Sequence, residues 1–387
     1  MPIKHAAIIG AGIAGLTAAL SLARHGIHTD IFEQADMLTD VGAGLQISPN
    51  ASRILGELGV LDSLSSVWME PREIRLLSGI SLRLIASVPS GDFARARWGA
   101  PYGALHRATL QKALLDAVSG NPLCSLHLAA QITTPTTKSL GAIIGEIPDL
   151  IVGADGVWSK TRALVAGSPS PRFSGNIAWR FTMPEADAPG ILDRDSVTAF
   201  MGPSAHLVCY PIKESGLFNM VAIGPGSGVP HDWNAASNET QRSLLRKHFS
   251  SWNRTISSML DRQDRPTVWP LYEVDNGRWH NGRDTVLIGD AAHAMMPFAA
   301  QGAAMAIEDG FELAGMVASR PIDEALNAFE KRRQPRITRL RQRAAFNRFA
   351  YHARGPFRLG RDLVLSLRPS QSLAADLDWI YGYHAIG

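Results

Sequence analysis

The chain has 387 residues, beyond the ~250–300 at which one hydrophobic core stops growing, so two lobes are expected. With 45% hydrophobic, 19% charged and 7% aromatic residues it can bury a core, which excludes a disordered chain. A net charge of +3 with no long basic run excludes nucleic acid or an anionic membrane as the main partner.

Lys4 and His5 precede an apolar run over 6–23, the charged start and apolar stretch that an export signal requires. Three glycines inside it, Gly10, Gly12 and Gly15, are spaced for another purpose, and a cytoplasmic protein is expected. Residues 6–9 read as a short buried strand. Residues 13–25 read as an Ala/Leu-rich helix stopped by Gly26, and 29–32 as a second strand ending at Glu33. A helix over 49–58 has Pro49 in its first turn, residues 73–90 alternate like strands, and Arg107 precedes a helix over 109–118. Residues 149–153 form a third buried strand that runs into Asp155 and Gly156. From about 173 the texture changes: 177–183, 196–201, 206–212 and 217–223 are short strands between Gly/Pro turns, which suggests an antiparallel sheet. The α/β pattern then returns with a strand over 285–288, a loop over 289–301 and a helix over 302–317. An arginine-dense helix over 322–349, solvated on one face, follows. The expected fold is α/β with an α+β insert. A Rossmann-like nucleotide-binding domain (1–172 and 276–355) is interrupted by an antiparallel-sheet substrate domain (173–275), and 356–387 form a C-terminal tail.

Two cysteines, Cys124 and Cys209, can supply neither a disulfide framework nor a zinc site, which points to a reducing compartment. No metal-ligating constellation is visible.

The strongest local signal is Gly10-Ala11-Gly12-Ile13-Ala14-Gly15. It follows a strand, opens a helix, and has an acid, Glu33, where the second strand ends, which is the context of a dinucleotide-binding fingerprint. Gly10 permits the turn, Gly12 lets the backbone approach a pyrophosphate, and Gly15 brings the helix against the strand. The anion would sit on the free N–H groups of the helix start. Glu33 would accept hydrogen bonds from a ribose and repel a 2′-phosphate, so the bound nucleotide is NAD or FAD rather than NADP.

Two distant segments separate these. Val152-Gly153-Ala154-Asp155-Gly156-Val157-Trp158-Ser159 and Val286-Leu287-Ile288-Gly289-Asp290-Ala291-Ala292-His293 each place an aspartate just past a buried strand. With the fingerprint, over residues 3–350 and in the same order, they resemble the single-component FAD-dependent aromatic hydroxylases, the group containing 4-hydroxybenzoate, salicylate and 6-hydroxynicotinate hydroxylases. The resemblance implies that Asp290 binds the ribityl chain and that Asp155 with Gly156 serves FAD and the reduced nicotinamide. Arg107 would reach the ribityl or phosphate part. Pro297-Phe298-Ala299-Ala300-Gln301-Gly302-Ala303 resembles the loop aimed at the isoalloxazine, with the N–H groups of Gly302 and Ala303 stabilising the negative charge of reduced flavin.

The implied activity is an FAD-dependent monooxygenase. NAD(P)H reduces FAD, oxygen adds at the flavin C4a as a hydroperoxide, and one oxygen is transferred to a small, hydroxylated, acidic aromatic or heteroaromatic ring. The protein's acid–base duty would be to help a phenol ionise. In the strand over 206–212, His206, Val208 and Tyr210 share one face, so His206 and Tyr210 are candidates to bind and deprotonate a hydroxyl. Gln46, within 42–47, lies where the hydroxynicotinate relatives place a polar residue on the substrate side, and Met295 and Phe298 add apolar walls. His293 is expected to support its loop, and the glycines of 224–228 lack the strand–turn–helix context of a second nucleotide site. An epoxidase or oxygenase of a bulkier polycyclic compound and a non-catalytic nucleotide sensor are the alternatives, and a monomer or a homodimer is expected.

Overall fold

In the computed structural model of the protein, which describes residues 3–38, 44–226, 237–263 and 266–387, the sequence His-Ala-Ala-Ile-Ile forms a fully buried strand, His5–Ile9. A strand this apolar needs cover on both faces, which a parallel sheet between helices supplies. It pairs in parallel with His28–Phe32 on one side and Leu150–Gly153 on the other. Thr285–Leu287 joins beyond Leu150–Gly153, and Cys124–His127 beyond His28–Phe32, completing a five-stranded sheet. The helix Ile13–Arg24 packs against Gly302–Ser319 so closely that a Cβ on Gly310 would lie 2.8 Å from the Ala18 backbone nitrogen. Small residues at 18 and 310 make that approach possible.

The second sheet has seven strands: Thr267–Glu273, Arg172–Pro184, Leu217–Pro225, Ala205–Ile212, Ser196–Gly202, Glu73–Ser78 and Leu84–Pro89, in that spatial order. Two of these come from before residue 173, so the sheet extends beyond the expected insert. The pair that joins them on, Ser196–Gly202 with Glu73–Ser78, is parallel, where an antiparallel sheet was expected. Side-chain alternation sorts the sheet's faces. Trp179, Phe181, Phe200, Leu207, Cys209, Phe218 and Met220 pack on one side against Phe249, Trp252, Ile256 and Leu260 of the helical segment 239–261. Ala178, Arg180, Asn219, Val221, His206, Val208 and Tyr210 lie at the alternate positions and face the other way. A short antiparallel ribbon, Gly44–Ile47 with Gly103–His106, closes one end of that second face.

The 30-residue helix Ile322–Tyr351 is solvated on one face, as expected, while Arg333 and Arg336 are buried on the other and turn inward. The C-terminal tail over 356–387 is helical and packed. It forms helices Gly355–Leu367, Ser370–Ala375 and Asp378–Tyr381, and Leu373, Ile380 and Tyr381 join the main core. Both cysteines are free, and among the described residues no helix is long and apolar enough to cross a membrane.

Candidate active site

At the end of the first strand the backbone turns through Gly10 at φ +104°, where a Cβ would lie 2.6 Å from the Ala154 carbonyl oxygen. A Cβ on Gly15 would overlap the Gly10 carbonyl oxygen, so both glycines are demanded by packing. Gly12 differs. It begins the helix without a capping side chain, and a Cβ there would meet nothing within 4 Å. The open approach and the uncapped N–H groups together form a cradle that fits a pyrophosphate. Glu33 lies beside it, accepting the Ala11 N–H at 2.9 Å and the Ala35 N–H at 3.0 Å. Half-buried Arg107 opens the helix Arg107–Ser119, and Gln111, one turn later, donates to the Ala11 carbonyl at 2.8 Å. Gln111 was missed at the sequence level, since a glutamine inside a helix carries no signal of its own.

The two aspartate loops meet. Gly289, at φ +57°, lies in the contact between helices, where a Cβ would be 3.1 Å from that of Ala14. Asp290 follows with an exposed carboxylate. Asp155 instead turns into its own loop, accepting from the Ser159 hydroxyl at 2.5 Å, the Lys160 N–H at 2.8 Å, and the N–H and hydroxyl of Thr161 at 3.0 Å each. Its carboxylate thereby acts as a cap on that loop, which then presents its backbone. Buried Arg162 ties the loops together, donating to the carbonyls of Val157 at 2.8 Å, Ala291 at 2.8 Å and Asp290 at 3.4 Å. Below them Asp309 accepts the Gly289 N–H at 2.9 Å, a His293 ring N–H at 2.5 Å and Arg333 Nε at 2.7 Å. Burial pushes the Asp309 carboxyl up, but His293 and Arg333 overcome it and hold it at about 2. His293 therefore supports the loop, as expected. Neither Arg162 nor Asp309 was foreseen; a charge inside an otherwise apolar helix, as at 308–309, was the available signal.

The segment before the next helix is equally fixed. Exposed Pro297 starts a short turn, and Asn347 of the long helix donates to the Phe298 carbonyl at 2.9 Å. Gln301, at the helix N-cap, is buried and bonds to Ser48 and, through it, to Asn50, which donates to Glu308 at 2.7 Å. Because Gln301 is held from below, the start of Gly302–Ser319 has no capping side chain, and a Cβ on Gly302 would meet nothing within 4 Å. The N–H groups of Gly302 and Ala303 are thus an open donor set suited to the anionic edge of a flavin.

On the sheet's second face, Gln46 Oε1 accepts the Tyr102 hydroxyl at 2.6 Å, and a Cβ on Gly44 would lie 2.7 Å from the Tyr210 ring. Burial raises the Tyr210 hydroxyl well above its ordinary value, offset by Arg180 and Gln46. Arg180 was also missed. Its guanidinium lies 4.5 Å over the Trp269 ring, its Nε is buried without a hydrogen-bond partner, and no carboxylate pairs with it among the described residues. Burial lowers its proton affinity, which Tyr210 counters. An arginine at an inward position of a strand was the signal. His206 shares Tyr210's face but not its surroundings. Four residues along a strand separate them by about 13 Å, and His206 packs on Phe298, Tyr351 and His352. Burial lowers the His206 imidazole well below its usual value, with His352 adding to the effect. Residues 42, 43, 227 and 228, of the two glycine-containing segments noted in the sequence, lie outside the described residues.

Known proteins resemble the chain over nearly its whole length. A family model described as an FAD binding domain matches residues 4–344. The chain is 33% identical to the 3-amino-4-hydroxybenzoate 2-monooxygenase PtmB3 of Streptomyces platensis, over 98% of this chain and 96% of that protein. It is 32% identical to the 3-hydroxybenzoate 6-hydroxylase 1 of Aquipseudomonas alcaligenes, over 98% of each. Among solved structures, Klebsiella pneumoniae HpxO complexed with FAD and uric acid matches the fold with a TM-score of 0.81 at 24% identity, over 97% of this chain and 95% of that one. Open glycine turn, paired aspartate loops and uncapped helix start all fall inside the matched span, and the chain belongs to the FAD-binding-domain family, among its FAD-dependent aromatic hydroxylases.

Proposed function

We propose that the chain hydroxylates a small aromatic or heteroaromatic ring that carries a hydroxyl and an acidic group, drawing electrons from NAD(P)H. The observation that carries this reading is the sheet face itself, which holds an uncompensated guanidinium, Arg180, beside Tyr210, and an imidazole, His206, kept neutral by burial. The names of the relatives, which act on hydroxybenzoates, support the same substrate class. Bound FAD supplies the redox and oxygen-transfer chemistry. Gly10, Gly12, Ala14 and Gly15 would hold its pyrophosphate side, and Glu33, Arg107 and Asp290 its ribose, phosphate and ribityl groups. The loop backbone beside Asp155 would close the site, and the N–H groups of Gly302 and Ala303 would face the ring edge.

The chain's own residues then divide the work. Arg180 binds the acidic substituent, Tyr210 and Gln46 orient the ring, Pro297 and Phe298 wall it in, and His206 accepts the hydroxyl proton so that the ring becomes a better nucleophile. Reduced nicotinamide and oxygen enter transiently, in keeping with a cytoplasmic protein that is a monomer or homodimer.

Purified protein should be yellow, absorbing near ~450 nm as oxidised flavins do. 3-Hydroxybenzoate, 3-amino-4-hydroxybenzoate and 6-hydroxynicotinate should be screened with NADH and with NADPH. At least one should accelerate nicotinamide oxidation and yield a hydroxylated product; a colourless protein, or a yellow one that none of these acids stimulates, overturns the reading.

A further inference from the structure

A base buried as deeply as His206, 2% exposed, can accept a proton on every turnover only if that proton has a way out. His206 Nδ1 lies 2.9 Å from His352 Nε2. His352 follows the last turn of Ile322–Tyr351, and its N–H donates to the Arg348 carbonyl at 3.1 Å. A second clip holds strand and helix end in register: the Ser204 N–H, in the turn just before the His206 strand, donates to the His352 carbonyl at 3.2 Å. His352 also lines a groove of about 730 Å³, together with Ser204, Pro225, Arg348, Arg354 and Phe357.

We propose that His352 is the outlet of a two-histidine proton relay, through which the proton taken up by His206 from a substrate hydroxyl leaves for the solvent in this groove. The substrate end of the relay rests on the hydroxylase reading above; the histidine pair does not. Two neutral imidazoles in one hydrogen bond share a single donor hydrogen, and outward transfer requires it on His206 Nδ1. His206 Nε2 then takes the hydroxyl proton, the Nδ1 proton passes to His352 Nε2, and the Nδ1 proton of His352 goes to water in the groove. One proton enters and one leaves, and no electron moves.

The surroundings favour release. His352 is faced by Arg348 and Arg354 and by His248, whose ring Nε2–H is bonded to the Pro225 carbonyl. His206 is faced by Phe298 and by Tyr351, near which lie Arg343 and Arg361. No carboxylate pairs with either ring among the described residues, so nothing there retains an imidazolium. Burial, reinforced by Arg348, Arg354 and His248, lowers the His352 imidazole to about 3.

The test uses the FAD-loaded protein with the stimulating phenol from the screen. His352→Ala should cut product formation by roughly 10²-fold in dilute buffer. Imidazole, small enough for the vacated groove, should restore it in proportion to its free-base concentration, whereas His206→Ala should gain nothing from imidazole. Without turnover, proton–nitrogen correlation spectra of ¹⁵N-histidine-labelled holoenzyme should show His206 protonated on Nδ1, with a low-field bridging hydrogen that His352→Ala abolishes. An unaltered rate and pH profile in His352→Ala, a loss that imidazole leaves untouched while FAD stays bound, or a bridging hydrogen that survives the substitution would each overturn the relay. A wild-type holoenzyme that hydroxylates no phenol would instead sink the functional reading, and the substrate end of the relay with it.

Discussion

Asp309 shows how a buried residue beneath the loops can govern the site. It is 0% exposed and binds at once the Gly289 turn, His293 and Arg333. Held at about 2 rather than 3.8, its carboxyl contributes about 2 kcal/mol of stability, fully present above pH ~4 and lost as pH falls from about 4 through 2. Asp309→Asn should flatten that acid limb. It should also cost about 3–5 kcal/mol at neutral pH, because Arg333 is left short of a buried partner. Urea unfolding at pH 3 and pH 6 checks both, and an acid limb as steep in the variant as in wild type would refute the assignment. Arg180 permits a complementary test. Arg180→Met should raise KM for an acidic substrate roughly 10- to 100-fold, the worth of a charge-assisted hydrogen bond, while FAD affinity holds. Equal losses in KM and FAD binding would place the guanidinium on the cofactor instead.

At the scale of elements, the two ends of the glycine-rich turn do different jobs. Gly10→Ala must force a side chain into positive φ and against the Ala154 carbonyl, so it should destabilise the apoprotein by ~1–3 kcal/mol. Gly12→Ala adds a Cβ that meets nothing within 4 Å and should leave apoprotein melting nearly unchanged while weakening FAD binding tenfold or more, as read by flavin fluorescence. Strand and helix positions were legible because apolar periodicity and glycine stops are local properties of the chain: the helix expected over 302–317 runs Gly302–Ser319, and the strand over 206–212 runs Ala205–Ile212. Pairing between distant segments was not local, and so Glu73–Ser78 was not placed beside Ser196–Gly202. The glycines and Asp290 could be read from motif context. The polar links of Gln111, Arg162 and Gln301 could not, because each depends on which loops the folded chain brings within 3 Å or so of one another. Asp155 illustrates the limit. Its position past a strand was readable, yet the direction of its carboxylate, into its own loop, is decided by donors at 159–161.

For the molecule as a whole, the last helices count as core. Ending the chain after Arg368 would strip Leu373, Ala374, Ile380 and Tyr381 from the interior and remove the Asp378 carboxylate that accepts from Arg97 and Trp98. Such a truncation should lower stability by about 5 kcal/mol, a large share of a domain's margin, and be visible as lost soluble yield or an earlier melting transition. Wild-type-like melting would show the segment to be dispensable.

The strand order carries a further consequence for how the protein is made. Leu150–Gly153 is flanked by His5–Ile9 and by Thr285–Leu287, and the latter emerges from the ribosome only after the entire second sheet has been translated. At about 5–20 residues per second, that border stays without its neighbour for roughly 7 to 26 seconds. A nascent chain with an unsatisfied hydrophobic margin for so long is a natural client of holding chaperones, and synthesis without them should favour clumping over maturation.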